Sequence, residues 1–259
     1  MRNLKSEKGA ITVLILITIL FLTTFLISSY IIMSNKMQSQ REVISDTKQI
    51  YESYNLNEMY ESYFDRSREG VPEKIQQVEY IESTGTQYID TGFKPNDSTK
   101  VEIKFMYNSL NGFVYGSRTS SSSNDAHEFI INTSGSVFPQ FDGQQSAVTS
   151  SYNEVGVEYT LINSQDGAYI NNELIKSYNE ATFSSIYSIF LFGLNQDNVL
   201  ESRTFKGKIY YCKIYDGDTL VRCFIPALDE NGMACLYDKV EGKYYYNAGT
   251  GTFSYGNQV

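Results

Sequence analysis

Lys100-Val101-Glu102-Ile103-Lys104-Phe105 alternates charged and apolar residues without a break. In an extended chain successive side chains leave opposite faces, so Val101, Ile103 and Phe105 point into a core while the charges meet water. This is the pattern of a strand in a sheet with one wet face. Outward from it, short alternating segments separated by turn residues run from Gln76 to the end of the chain, which predicts an all-β antiparallel sandwich. Toward the N-terminus, Val78-Glu79-Tyr80-Ile81 opens the head, and Gln87 to Thr91 follows the turn Ser83-Thr84-Gly85. Toward the C-terminus, 117–125 reads as a serine-rich loop, and the sheet resumes at Glu128-Phe129-Ile130-Ile131. Glu158 to Ile162 and Ala168 to Ile170 read as strands flanking Ser164-Gln165-Asp166-Gly167, and Asn171-Asn172 turns tightly into Glu173-Leu174-Ile175, because asparagine tolerates positive φ. The apolar run Ile186 to Gly193 reads as a central strand.

Lys208 to Tyr215 and Thr219 to Ile225 surround Asp216-Gly217-Asp218, a hairpin signal. A two-residue turn at Gly217-Asp218 places Cys212 opposite Cys223, Ile214 opposite Val221 and Tyr210 opposite Ile225. That pairing leaves two readings for the cysteines, a cross-strand disulfide or two small buried thiols, with Cys235 unpaired in either. Three cysteines without a CxxC or a nearby histidine fit no zinc motif.

Composition agrees with the strands: the chain has 22 Tyr and 15 Phe, no Trp and only 4 Pro in 259 residues. Its formal charge of -9 is confined to one part, since 1–75 holds nine Lys/Arg against nine Asp/Glu and 76–259 twelve against twenty-one. An acidic head repels phosphate backbones, which argues against nucleic acid as a partner.

The N-terminal quarter follows other rules. Ala10 to Ser34 is 25 residues without a charge. As a helix this spans roughly 37 Å, enough for a hydrocarbon core of about 30 Å with tilt. The expected partner of 10–34 is therefore the membrane, in a single pass. A cleaved secretory signal and a buried core helix are the alternatives, and against the first stand the length of the apolar run and the missing A-x-A site. Arg2, Lys5 and Lys8 before the span tie with Lys36, Arg41 and Lys48 after it. The tight packing of the first three, as in an n-region, places residues 1–9 in the cytoplasm and the head outside. Residues 35–75 form a polar stalk and linker, helical up to Gly70, with Leu56, Met59, Tyr60 and Tyr63 at helical spacing.

Four segments, Tyr80 to Gly92, Phe205 to Tyr215, Leu220 to Ala227 and Asn247 to Phe253, resemble the concanavalin A-like, LamG-type sandwich, or jelly roll, of bacterial surface and phage tail-associated proteins. The resemblance covers roughly 78–257 and implies a binding domain for glycans or proteins, in some members with calcium; some relatives are glycoside hydrolases. Their paired carboxylates in an E-x-D-x-x-E pattern are absent. Glu154 and Glu158 read as ordinary outward residues, so the resemblance implies no enzyme here and no catalytic residue. The LamG-type pattern carries an aspartate-glycine turn where Asn171-Asn172 stands. A second resemblance, carried by Lys8-Gly9-Ala10-Ile11-Thr12-Val13, is to type IV pilin-like proteins, which are cut after that glycine. It implies processing between Gly9 and Ala10 and pilin-like partners, although Leu14 occupies the place of the usual glutamate.

One oxygen-rich cluster stands out as a candidate ligand site, Asn195-Gln196-Asp197-Asn198 in the loop after Phe192-Gly193-Leu194. Asn195, Asp197 and Asn198 offer groups for sugar hydroxyls, and the Asp197 carboxylate with neighbouring carbonyls could ligate calcium; a plain polar turn is the alternative. No other cofactor is expected. His127, the only histidine, borders the serine-rich loop and reads as a surface residue. The expected function is that of a membrane-anchored, adhesin-like surface protein recognising a glycan or a protein, with a structural pilin-like subunit as the alternative and a glycoside hydrolase on the same fold as the remote one.

Overall fold

The computed structural model describes Leu22, Met33 and residues 75–144, 147–148 and 152–259. The chain divides into two compact units, Met1–Glu69 and Gly70–Val259. The membrane helix 10–34, the stalk and the Gly9-Ala10 junction lie outside the described residues, apart from Leu22 and Met33, which are helical and exposed.

Eighteen strands are described. In chain order they are β1 (Gln76–Gln77), β2 (Ile81–Ser83), β3 (Ile89–Asp90), β4 (Thr99–Tyr107), β5 (Gly112–Arg118), β6 (His127–Ile131), β7 (Val137–Phe141), β8 (Glu158–Ser164) and β9 (Gly167–Ile170). There follow β10 (Glu173–Lys176), β11 (Phe190–Leu191), β12 (Asn195–Gln196), β13 (Val199–Leu200), β14 (Gly207–Asp216), β15 (Thr219–Leu228), β16 (Ala234–Asp238), β17 (Lys243–Tyr245) and β18 (Ser254–Tyr255). The larger sheet runs β10-β9-β8-β4-β14-β15-β16-β17, with β1, β2 and β18 added along it. The smaller runs β13-β12-β5-β11-β3, with β6 and β7 on the other side of β5.

The two sheets face each other across one core. Val101, Ile103 and Phe105 of β4 are wholly buried, as the alternation predicts, and they meet Val114, Phe129 and Leu191 of the smaller sheet in one apolar cluster. The Phe105 and Phe129 rings, one from each sheet, lie 5.8 Å apart. The fold is thus an all-β sandwich. The Asn171-Asn172 hairpin forms as expected, with both residues at positive φ (50° and 68°), the geometry of a tight turn between twisted strands.

Four expectations are corrected. The β14–β15 hairpin begins in the expected register at Asp216 and Thr219, but a bulge after Tyr215 and Leu220 shifts it by one residue. Cys212 therefore faces Phe224, Cys223 faces Lys213, and Ile214 faces Arg222. The Asp238 carboxylate in β16 holds this bulge by accepting the backbone N–H of Cys223 (2.8 Å) and of Val240 (3.0 Å). All three cysteines are free, Cys212 and Cys235 buried and Cys223 half-buried. Only Phe190–Leu191 of the run Ile186 to Gly193 is strand, between β3 and β5, and Ile186 is exposed. Asn195–Gln196 is strand as well, pairing in parallel with Ser117 and Arg118. His127 is wholly buried, because it shares the inward parity of Phe129 and Ile131.

Candidate functional site

Backbone pairing places β12 between β5 and the end strand β13 of the smaller sheet, and the turn Asp197-Asn198 links it to β13 with both residues at positive φ (55° and 62°). Three polar segments meet here: this turn, the β5–β6 loop 119–126, and 185–188 ahead of β11. The Tyr187 hydroxyl donates to the Asp197 carboxylate, and the Ser185 hydroxyl to that of Asp125 (3.4 Å). Asp125 also accepts from the Thr119 hydroxyl (2.6 Å) and backbone N–H (3.0 Å). Burial pushes the Asp125 carboxyl up, but hydrogen bonds from Ser123 and Thr119 outweigh it and hold it below the ordinary value. The bond to Asp197 in turn raises the Tyr187 phenol. Asp197 and Asn198 are exposed, Tyr187 is half-exposed, and the apolar side chains of Ile186 and Val199 stand out on either side at 66% each.

Of the three residues singled out in the sequence, Asp197 and Asn198 reach this rim and Asn195 does not. Asn195 points inward, wholly buried, its amide donating to the Ser188 carbonyl (2.9 Å). Beside it the Ser117 hydroxyl donates to the Tyr187 carbonyl (2.8 Å) and lies 3.2 Å from the Ser185 hydroxyl. Asn195 is scaffolding that fixes Ser188 against the sheet, as Ser117 fixes Tyr187. Among the described residues no group of three or more His, Cys, Asp or Glu is placed to hold a metal ion.

Beneath the rim, on the outer face of the smaller sheet, lies a group the sequence did not reveal. Arg118 NH1 donates to both oxygens of Glu128 (3.0 and 3.3 Å), while its Nε and NH2 both donate to Gln196 Oε1 (2.9 and 2.8 Å). The Arg118 carbonyl also accepts the Asp197 backbone N–H (3.1 Å). The ion pair is sealed, with side-chain exposures of 6% and 0%. Sealing depends on Gly116, where a Cβ would come within 2.7 Å of both Glu128 Cβ and Leu194 Cδ1. Burial pushes the Glu128 carboxyl up to about 7, against the pull of the Arg118 and Arg203 guanidiniums. Phe113 packs between those guanidiniums, their carbons 5.4 and 4.8 Å from the ring centre. A buried, perturbed carboxylate next to an exposed polar turn marks a candidate functional site.

The larger sheet's outer face is built otherwise. A bulge in the β4–β14 pairing between Ile209 and Tyr211 leaves Tyr210 as an extra residue, so two successive tyrosines are half-exposed. Lysines lie over four tyrosine rings along this face: Lys208 over Tyr80 (3.9 Å), Lys100 over Tyr215 (4.1 Å), Lys104 over Tyr210 (5.1 Å) and Lys213 over Tyr211 (5.2 Å). These ring faces are thereby capped by the protein's own cations. Glu158 is bound to Lys104, and Glu154 is exposed, so both stand outward as read.

No protein family and no curated protein matches the sequence. Among solved structures the chain is similar to a protein of Bacteroides ovatus assigned to carbohydrate binding, at 13% identity and TM-score 0.49, covering 73% of this chain and 62% of that one. It is also similar to the heptameric SAP-like pentraxin of Limulus polyphemus (10%, TM-score 0.40, 56% of this chain and 78% of that). A third is the CBM40 of the Ruminococcus gnavus IT-sialidase, bound to α2,3 sialyllactose (17%, TM-score 0.41, 54% of this chain and 91% of that). The chain thus spans less than two thirds of the first of these. At such identities and scores the reading of the site rests on its own residues.

Proposed function

We propose that this chain is a membrane-anchored surface protein whose sandwich head binds a glycan or a surface protein at the rim formed by Tyr187, Asp197 and Asn198, without catalysing a reaction. The carrying observation is the contrast between an exposed polar turn and the buried network below it. Exposed hydrogen-bonding groups held by Gln196, Arg118, Ser117 and Asn195 are preorganised, and preorganisation lowers the ordering cost of binding. A tyrosine edge, a carboxylate and an amide beside exposed Ile186 and Val199 offer both the polar and the apolar contacts that sugar rings or peptide side chains use. The uncharged span 10–34 supplies the anchor, with the N-terminus in the cytoplasm and the head outside.

A broad glycan array probed with the full chain in detergent micelles tests the sugar reading. Binding to a defined subset is expected, weakened at least about tenfold in Asp197→Ala, as for loss of a hydrogen bond to a charged group. A folded chain that binds no glycan would sink that version and leave a protein ligand. Hydrolysis of any bound glycan would overturn the non-enzymatic reading. The pilin-like reading stands on Gly9-Ala10 and on the apolar helix continuing into a stalk, and an intact mass that retains Met1 would remove processing from it.

A further inference from the structure

We propose that Glu128 is a positioning residue for the rim: through Arg118 it holds the Gln196-Asp197-Asn198 turn in place, and loss of its negative charge releases that turn. The functional consequence rests on the rim being the binding surface; the mechanical claim does not. Arg118 is attached to the turn twice, by its guanidinium on the Gln196 side chain and by its carbonyl on the Asp197 amide. Among the described residues its one charged partner within salt-bridge distance is Glu128, which exposes no surface. A guanidinium at 6% exposure needs that countercharge. Without it the favourable response is to swing toward water, and Gln196 follows because both donors on it belong to the same planar fork.

The surroundings favour a switch over a rigid strut. The charged groups acting on Glu128 are Arg118 from β5 and, from the segment after β13, Arg203, which favours the ionised form, and Glu201, which opposes it. The neighbouring side chains are uncharged: Leu194 across Gly116, Gln140 in β7, the register partner of Glu128, and Gln196 in β12 on the other side of the Arg118 guanidinium. Gln140 Oε1 is buried without a hydrogen-bond partner, so a protonated Glu128 has an acceptor in its own row that the ionised form cannot use. With burial lifting Glu128 to about 7, a modest fall in pH moves between the two states. The rim is firm above neutrality and loosened in mild acid.

Amide hydrogen exchange of the full chain in micelles, followed by mass spectrometry and corrected for intrinsic rates, tests this without any ligand. Between about pH 8 and about pH 5.5 the wild-type peptide covering 195–198 is expected to lose about tenfold or more in protection, while peptides from β14 keep theirs. Glu128→Gln is expected to show the low value at both pH values. Equal protection of the turn at both pH values in the wild type overturns the proposal. So does a Glu128→Gln turn as protected as the wild type near pH 8. Loss of protection across the whole sandwich would instead assign Glu128 a merely structural role, and a variant that fails to fold leaves the wild-type pH series decisive. Failure of the glycan array would leave these outcomes untouched, so the two claims fall separately.

Discussion

The two sheets carry their charged residues on their outer faces in opposite ways. On the larger sheet Lys104 meets Glu158 at 2.7 Å and Lys213 meets Glu102 at 3.3 Å, each side chain between 22% and 46% exposed. On the smaller sheet Arg118 meets Glu128 at a similar 3.0 Å, but at 6% and 0%. Distance is nearly the same and solvent is not. An exposed pair trades water for a partner at little net change, whereas a sealed pair has no alternative to its partner. These pairs on the larger face therefore contribute little to stability. The smaller face ties a remote loop to the core.

The comparison breaks first at Glu128. Replacement by alanine removes the countercharge that keeps the Arg118 guanidinium in place, and the expected cost is about 3–5 kcal/mol in chemical denaturation of the head near about pH 8, where Glu128 is ionised. Glu158→Ala in the same assay should stay below about 1 kcal/mol. Equal costs at the two sites would mean that Arg118 finds another partner, and the contrast between the faces would fall.

Adjacent residues on opposite sides of β6 give a sharper test. Burial lifts Glu128 to about 7 and lowers His127 to about 4. The folded state therefore binds the Glu128 proton more tightly than the unfolded chain does, and this contribution, present below about pH 4.5, is lost as pH rises to about 7. His127 has the reverse sign. Its contribution is present above about pH 6.5 and lost as pH falls to about 4. Each is worth about 3 kcal/mol, so between about pH 4.5 and pH 6.5 they oppose one another and the wild-type profile from this pair is nearly flat. Glu128→Gln should expose a stability that rises with pH across that window, and His127→Gln one that falls. Denaturant midpoints measured at several pH values decide it, and parallel slopes in the two variants would contradict the assignment.

The sequence made the larger sheet legible because its signals are local. Alternation in 100–105, the Asn171-Asn172 turn and the hairpin at Gly217 depend on neighbours within a few residues. Long-range effects were not legible. The one-residue shift that parts Cys212 from Cys223 is held by Asp238 on the next strand. Glu128 is sealed by Leu194 lying over Gly116, and neither carries a mark of that role in its own segment. His127 was legible after all, since Phe129 and Ile131 fix its parity, but proximity to a polar loop suggested the surface. Of the candidate site, Asp197 and Asn198 could be read from composition. Arg118 and Gln196, which hold them, could not, because a salt-bridged arginine in a strand looks like any outward charge until something closes over it.

The smallest expected effect lies where most charged side chains crowd together. Hydrogen bonding to Lys104 holds the Glu158 carboxyl below its ordinary value, so its contribution is present at neutral pH and lost as pH falls through that depressed value. Both side chains are about a third exposed or more, and solvent takes most of this back. Lys104 also rests over the Tyr210 ring at 5.1 Å, so removing Glu158 leaves the ammonium with a second partner already in place. A double-mutant cycle with Lys104→Met and Glu158→Gln should then return a coupling of about 0.2–1 kcal/mol that shrinks further in about 1 M salt, where screening acts within about 3 Å. A coupling of about 2 kcal/mol or more, insensitive to salt, would show that the larger face is as shielded as the smaller one. In that event the Tyr210 bulge, which sets two tyrosines side by side under these lysines, would displace the rim as the surface to probe for ligand.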